Sequence, residues 1–485
     1  MAAQWDPVSL RQAMTDRMST DEVEALCFDL GIDVDNLGGD TKSAKIRELI
    51  QYMQRRGRLD DLTAQLAKQR PDIQPPGGSP QQASPQATPS PATNPSSTET
   101  GQAQAPASTP VAPTGSAPSW TYVDFDVAVT QASSGYTVNV IASPAGQASA
   151  TTQIALADGP IADGVAALKR AQFDSALAKS LGGTLLSTLL KGDVANAYFA
   201  TLGRAESQQS GVRLRLRITA PELKSLPWEY LYDAQRDNFL AVRRDVVISR
   251  YLEVFQGIGA SSPPAALRIL VLLSGPAGPA VLDLAGEQKR IEDALAPLVT
   301  AGRVVVEFET NPTAFNIRAR LRRNVYHVIH YSGHAYYATE SKLVLNQSVT
   351  QDTGYVVLPN DDGTARLLDE ASFAQFFVGN PSIRLIILNA CQGAQSSLTE
   401  YLSGLGDKLV QTAGLPAVVA MQFPIADMAA KQFAQEFYAS LTDGLPIDAA
   451  VAQARLALFQ DRGASDRAWG TPVLFMRSAD GRLFA

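Results

Sequence analysis

The residues best suited to covalent chemistry are scarce in this chain of 485 residues, which holds two cysteines, Cys27 and Cys391, and three histidines, His327, His330 and His334. The histidines share one segment, YHVIHYSGHA, Tyr326 to Ala335. It has the pattern of a strand in which His327 and His330 point to opposite faces, while His334 follows Ser332 and Gly333 at the carboxyl end. Cys391 closes a second such strand, LIILNACQGAQ, where Ala390, Gly393 and Ala394 leave room around it. An imidazole beside a thiol promotes the thiolate, the form that attacks a carbonyl carbon, so His334 and Cys391 have the composition of an acyl-transfer pair. The N–H groups of Gly333 and Cys391 would serve as oxyanion donors, each worth about 3 kcal/mol in the transition state.

Spacing and strand-end position by themselves leave this chemistry and simple packing evenly matched. Zinc is the other use of three histidines. His327 and His330 on opposite faces cannot converge on one ion, and no cysteine or carboxylate cluster completes a tetrahedral set, so no metal and no cofactor are expected. Both are instead expected to be bonded core residues. Cys27 falls on the apolar face of a helix with Val23, Leu26 and Leu30, which makes it a buried, inert thiol.

The elements that must position the pair follow from periodicity. From Ala266 onward, continuously apolar runs at Leu267–Leu273, Val304–Phe308, Tyr326–Tyr331, Ile383–Leu388 and Ala417–Met421 alternate with helical patterns, among them Glu287–Leu295, Ala314–Arg322, Ala429–Leu441 and Asp448–Phe459. This is the signature of an α/β fold, a mainly parallel sheet flanked by helices, with its site beyond the carboxyl ends of the strands. Residues 119–262 form a mixed strand and helix part, with strands at Trp120–Val129, Tyr136–Ile141 and Val212–Ile218, a helix over Val165–Leu190, and a turn-rich plug, PELKSLPWEYLYD. Residues 263–485 form the catalytic part. Residues 74–118 are Pro-, Ser-, Thr- and Ala-rich and predict a disordered tether. Residues 1–73 predict a helical bundle: Ser19 and Glu22 make a capping box, Gly31 ends the helix they open, Ile46, Leu49, Ile50 and Met53 face inward from a helix starting near Thr41, and Leu59, Leu62 and Leu66 mark a third.

A net charge of −7, with 45% apolar and 18% charged residues, gives no electrostatic footprint for nucleic acid or membrane. With no apolar run of about 20 residues and no leader pattern, and with cysteines in separate segments, the expectation is a cytoplasmic protein.

At these residues the chain resembles the CHAT-domain family of caspase-like cysteine peptidases. YHVIHYSGHA is similar to the family's catalytic-histidine strand and LIILNACQGA to its catalytic-cysteine strand, and Leu226, Pro227, Trp228 and Glu229 resemble a segment these proteins carry upstream. The resemblance spans roughly Val212–Phe484 and implies a regulated endopeptidase with His334 as base and Cys391 as nucleophile. The segment His334-Ala335 departs from the commoner His-Gly. ALCFDLGIDVDNL, TKSAKIRELIQYMQRRGRLDDL and RPDI resemble bacterial effector-associated, death-like domains. That likeness implies docking to a like module in a bacterial defence or programmed-death pathway. Acidic Asp16, Asp21, Glu22, Glu24, Asp29, Asp33 and Asp35 precede basic Lys42, Lys45, Arg47, Arg55, Arg56 and Arg58, an order suited to head-to-tail association. A catalytically silent scaffold and a thiol acyl hydrolase are the alternatives.

The strand Ala417–Met421 follows the cysteine strand and is expected beside it, which brings Gln422 to Asp427 to the same edge. In caspase-like folds this loop helps form the primary specificity pocket, and separases, which the segment resembles, carry an Asp there and cut after Arg. Asp427 is therefore expected to meet a substrate Arg or Lys, with Asp283 a second candidate, although Asp427 could instead cap a helix starting near Met428.

Overall fold

The computed structural model describes residues 7–18, 22–23, 26–27, 30, 32, 42–55, 58–70, 121–252, 261–279, 282–338, 341–344, 346–350, 353–391 and 398–484. The predicted tether, the Ser19 end of the capping box, and Gly31 and Thr41 lie outside them. The chain forms two compact units, residues 1–114 and 115–485.

In the first unit the helices Pro7–Arg17, Lys42–Arg55 and Leu59–Gln69 are described. Their apolar faces share one core in which Leu10, Met14, Leu26, Cys27, Ile46, Leu49, Met53, Leu62 and Leu66 are fully buried. Cys27 thus sits where the periodicity put it. The helix Pro7–Arg17, absent from the sequence reading, adds Leu10 and Met14. Arg70 closes the bundle through Glu22, 2.9 Å away, and the Arg17 carbonyl, 2.7 Å away.

The second unit is built on one sheet of thirteen strands among the described residues. Its amino-terminal strands are β1 (Tyr122–Gln131), β2 (Tyr136–Ala142), β3 (Ala148–Thr152) and β4 (Gly211–Ile218). A two-stranded ribbon follows, β5 (Tyr232–Asp233) with β6 (Asn238–Phe239), and then β7 (Val246–Tyr251) rejoins the sheet. Next come β8 (Leu267–Ser274), β9 (Val304–Glu309) and β10 (Val328–Ala338). The ribbon β11 (Lys342–Val344) and β12 (Gln347–Val349) precedes β13 (Thr353–Pro359) and β14 (Ala365–Asp369). The last strands are β15 (Leu385–Cys391), β16 (Ala417–Met421) and β17 (Pro472–Met476).

In space the order is β9-β8-β10-β15-β16-β17-β7-β4-β1-β2-β3, with β13 and β14 extending from the far end of β10. Strands β9, β8, β10, β15 and β16 are parallel, and β17 runs against β16. The continuous apolarity of the central strands has its cause here. Leu267, Ile269, Val271 and Leu273 of β8 enter one core while Leu270 and Leu272 enter the core on the other face. Leu385 and Ile387 of β15 part from Ile386 and Leu388 in the same way. Helices Leu284–Thr300, Asp427–Thr442 and Ile447–Arg462 cover the first face, and Ala314–Arg323, Glu370–Ala374 and Leu398–Thr412 the second.

Two readings are corrected. The helix expected over Val165–Leu190 is two, Gly159–Lys169 and Ser175–Leu189, because Ala171 turns to positive φ and Asp174 caps the second by accepting from the Leu177 N–H at 2.8 Å. The histidine strand does not end at His334 but runs on to Ala338, where Ala335 to Ala338 pair antiparallel with β13.

The segment LPWEYLYD joins the two parts of the sheet, which meet in the ladder at few positions: Phe475↔Arg250 and Met476↔Tyr251. Tyr230 packs against Trp469 with ring centroids 4.7 Å apart and donates to the Arg467 carbonyl at 2.7 Å. Gly470 has no room for a Cβ, which would fall 2.3 Å from the Tyr230 ring. Glu229, buried, pairs with Arg250 at 2.9 Å and accepts from Gln422 Nε2 at 2.9 Å. Gln422 is the first residue after β16, so this pair holds the loop that leads to Asp427. A buried carboxylate removed from its partner leaves an uncompensated cation, so Glu229→Ala is expected to cost about 3–5 kcal/mol. The check is a lower denaturant midpoint at unchanged slope, and a midpoint equal to wild type would remove Glu229 from this role.

Candidate active site

Strands β10 and β15 are paired in parallel from Val328↔Leu385 to His334↔Cys391, so the two residues of the predicted pair are the last partners of the ladder. His334 is buried. On its other side β10 pairs with β8 as far as Gly333↔Ser274. Gly333 lies within the strand, and a Cβ there would come 2.5 Å from Tyr331 Oη and 2.8 Å from Ser274 Cβ. Its glycine identity therefore has a packing reason as well as the proposed oxyanion one.

Two register steps before the pair lie two polar residues that the spacing of motifs alone did not single out. Ser332 precedes His334 by two positions, Asn389 precedes Cys391 by two, and the two are themselves register partners. Both bond to one carboxylate: Ser332 Oγ and Asn389 Nδ2 each donate to Glu287 Oε1 at 3.1 Å. Glu287 stands in the first turn of the helix Leu284–Thr300, which Asp283 caps by accepting from the Gly286 N–H at 2.9 Å. Glu287 Oε2 pairs with Arg290 at 3.1 Å, and Arg290 reaches Asp427 Oδ2 at 3.0 Å and Asp283 Oδ2 at 3.9 Å. The structure thus brings Asp427 and Asp283 together around a side chain of the protein itself. Asp427 is the first residue of its helix and Ala426 occupies the cap position, so the capping role weighed for Asp427 is not the one it takes. The signals for the missed residues were the spacing Glu287-x-x-Arg290 after the first parallel strand and the polar interruptions Ser332 and Asn389 in apolar runs.

The other histidines are bonded separately. His327 Nδ1 accepts from the Arg268 N–H at 3.0 Å, and its ring meets Phe484 edge-on at 5.7 Å between centroids. His330 Nδ1 lies 3.3 Å from Tyr438 Oη. Burial pushes the His330 ring down to about 4 against the opposing pull of Glu287, so it is neutral.

A family model for the CHAT domain matches residues 175–477, and one for effector-associated domain 7 matches residues 10–71. The chain belongs to the CHAT family. Its CHAT fold is caspase-like: a large, mostly parallel sheet between helices, joined to a small helical region at the amino terminus. Among solved structures, the Saccharomyces cerevisiae separase–securin complex at 2.6 Å is similar, with 13% identity over 61% of this chain and 19% of that one, at a TM-score of 0.33. The same complex at 3.0 Å gives 14% identity over 61% and 18%, at a TM-score of 0.31. This chain therefore spans about a fifth of the chain it matches there. No curated protein matches significantly. Among the described residues no helix is long and apolar enough to cross a membrane.

The neutral burial of His330 has a pH signature. The unfolded chain protonates this histidine near 6.5 and the folded one near 4, so the unfolded state binds more protons between those values and stability rises with pH there. Glu370 runs the other way: burial, against the Gly354 N–H and Lys408, raises its carboxyl from 4.5 to about 7, so its contribution falls as pH rises through that interval. The thermal midpoint of Glu370→Gln is expected to climb more steeply with pH from 4.5 to 7 than that of wild type, and that of His330→Gln less steeply from 4 to 6.5. Three parallel curves would refute both assignments.

Proposed function

We propose that the chain is a cysteine endopeptidase in which Cys391 attacks the scissile carbonyl and His334 moves the proton. His334 takes the thiol proton, the thiolate adds to the carbonyl carbon, and the imidazolium returns the proton to the departing amine. Water, deprotonated by the same imidazole, then hydrolyses the thioester and regenerates the thiol. The amides of Cys391 and Gly333 are the proposed oxyanion donors. The observation that carries this reading is the pairing of His334 with Cys391 at the end of one parallel ladder inside a CHAT domain.

The preferred substrate carries Arg or Lys on the acyl side of the cut. Asp427 and Asp283 already converge on a guanidinium at this edge, and Asp427 is half exposed to solvent. Paired carboxylates favour a cation there and repel an acidic residue. The effector-associated domain recruits the enzyme by docking to a like module, and the setting is a cytoplasmic bacterial defence or death pathway.

Cys391→Ala and His334→Ala are expected to lower peptide cleavage to background, while Cys27→Ala, in the core of the other unit, leaves it unchanged. Retained activity in Cys391→Ala would exclude the mechanism. Matched fluorogenic peptides differing at the residue before the cut should be cleaved faster after Arg than after Asp, and Asp427→Ala should erase the difference. For recruitment, sedimentation of the full chain is expected to show self-association at low salt that fades at high salt, and a monomer under both conditions would count against homotypic docking.

A further inference from the structure

We propose that Arg290 is an internal occupant of the acidic cleft beside the dyad, and that a basic substrate side chain binds by displacing it. The proposal rests on the basic-specificity reading above and deepens it: the residue that sets how strongly that preference is expressed is Arg290.

The geometry supplies the argument. Arg290 reaches forward from its helix so that one terminal nitrogen lies 3.0 Å from Asp427 and 3.9 Å from Asp283, while its other nitrogens lie 3.1 Å from Glu287 Oε2. These carboxylates come from the loop after β8, the helix Leu284–Thr300 and the start of the helix after β16. All three converge on the carboxyl edge of the parallel strands. An incoming guanidinium would find the acceptors on Glu287 and Asp427 that Arg290 already uses, so exchange replaces like bonds with like bonds. Two of the acceptors are open to solvent, Asp283 at 71% and Asp427 at 50% of the side chain, whereas Arg290 is 25% exposed. Ion pairs as exposed as those to Asp283 and Asp427 contribute little to stability, so water and a competing cation can replace Arg290 there, while its pair with the less exposed Glu287 is the firmer hold. Three carboxylates face Arg290, and Lys431, which lines the same cleft 3.5 Å from Asp293, is a second cation there, so Glu287, Asp283, Asp427, Arg290 and Lys431 carry a formal charge of about −1 together. The cleft therefore attracts a cation even while occupied.

A second observation lies at its inner end. A cavity of about 20 Å³ is lined by Glu287, Arg290, Asn389, Asp427, Lys431 and His330. His330 is 5% exposed and its Nε2 has no hydrogen-bond partner among the described residues. When Nδ1 donates to Tyr438, the neutral ring presents Nε2 as an acceptor. Arg290, approaching along its own helix, leaves that acceptor unused. The space is about that of one water, so a single N–H of an entering guanidinium, not the whole group, would use it.

The test is titration of full-length wild type, Arg290→Ala and Arg290→Gln with agmatine, an arginine side chain without its carboxylate, followed by calorimetry. If Arg290 fills the cleft about nine-tenths of the time, its removal should tighten agmatine binding about tenfold. Arg290→Gln, which keeps most of the stem, should act in the same direction, and Asp427→Ala should abolish binding. Toward peptides, Arg290→Ala should lower KM for cleavage after Arg by more than it changes KM for cleavage after Leu. Equal or weaker agmatine binding in both Arg290 variants, with thermal midpoints like wild type, would overturn the proposal and make Arg290 a structural tie between two helices. Tighter agmatine binding in proteins that cleave no peptide would sustain the proposal and overturn the peptidase reading. Cleavage of peptides without any binding of agmatine would do the reverse.

Discussion

The in-register parallel pairing of β10 with β15 is the constraint from which the site descends. Side chains alternate along a strand, so a slip of one position would turn Ser332 and Asn389 away from Glu287 and present their neighbours instead. The register is fixed by burial on both faces: Val328, Leu385 and Ile387 fill one core, and Ile329, Tyr331, Ile386 and Leu388 the other. A slip of one position exchanges these sets and strands polar groups in apolar surroundings. Glu287 adds a direct clasp by accepting from both strands, two steps before the ladder's last pair. Positioning thus comes from packing over the length of the strands, with one carboxylate finishing the alignment.

Much of this was legible in the sequence. Continuously apolar strands announced a sheet covered on both sides, and β16 falls at Ala417–Met421 as read. The rule that consecutive elements are neighbours placed β16 beside β15, and with it the loop that carries Asp427. What escaped notice depended on contacts between distant segments. Glu287 and Arg290 look like an ordinary surface pair on an amphipathic helix, and nothing local reveals that Ser332, Asn389 and Asp427 converge on them. The strand VRLRLRI alternates as a half-solvated strand would, yet Arg213 and Arg215 are buried. Asp124, Asp126 and Asp448 pair with them, and the carbonyls of Ala479 and Asp480 accept from them. Periodicity reports which face a residue takes but not what covers that face.

The same limit explains the histidine strand. The Ser332-Gly333 step marks where β8 stops pairing, and from the sequence this resembles a strand end. The backbone instead continues because β13 takes up the pairing from Ala335 onward. His334 therefore sits where β10 passes from parallel to antiparallel partners, a geometry set by residues some twenty positions downstream.

The single sheet has a consequence for taking the molecule apart. The caspase-like strands and the strands before them meet through two register pairs of β17 with β7, and the join is tied further by Glu229 with Gln422, Lys224 with Asp407, Tyr230 with Trp469 and Arg213 with Asp448. Excising the carboxyl-terminal part near residue 262 would bare the edge of β17, an uncapped template for pairing with other chains, together with the carboxylates of Asp448 and Asp407 stripped of Arg213 and Lys224. Such a fragment would be driven to aggregate before it could act. The caspase-like portion is thus not a portable cassette, and a transplant that keeps it soluble must carry the strands β1 to β4, the LPWEYLYD segment and β7 with it.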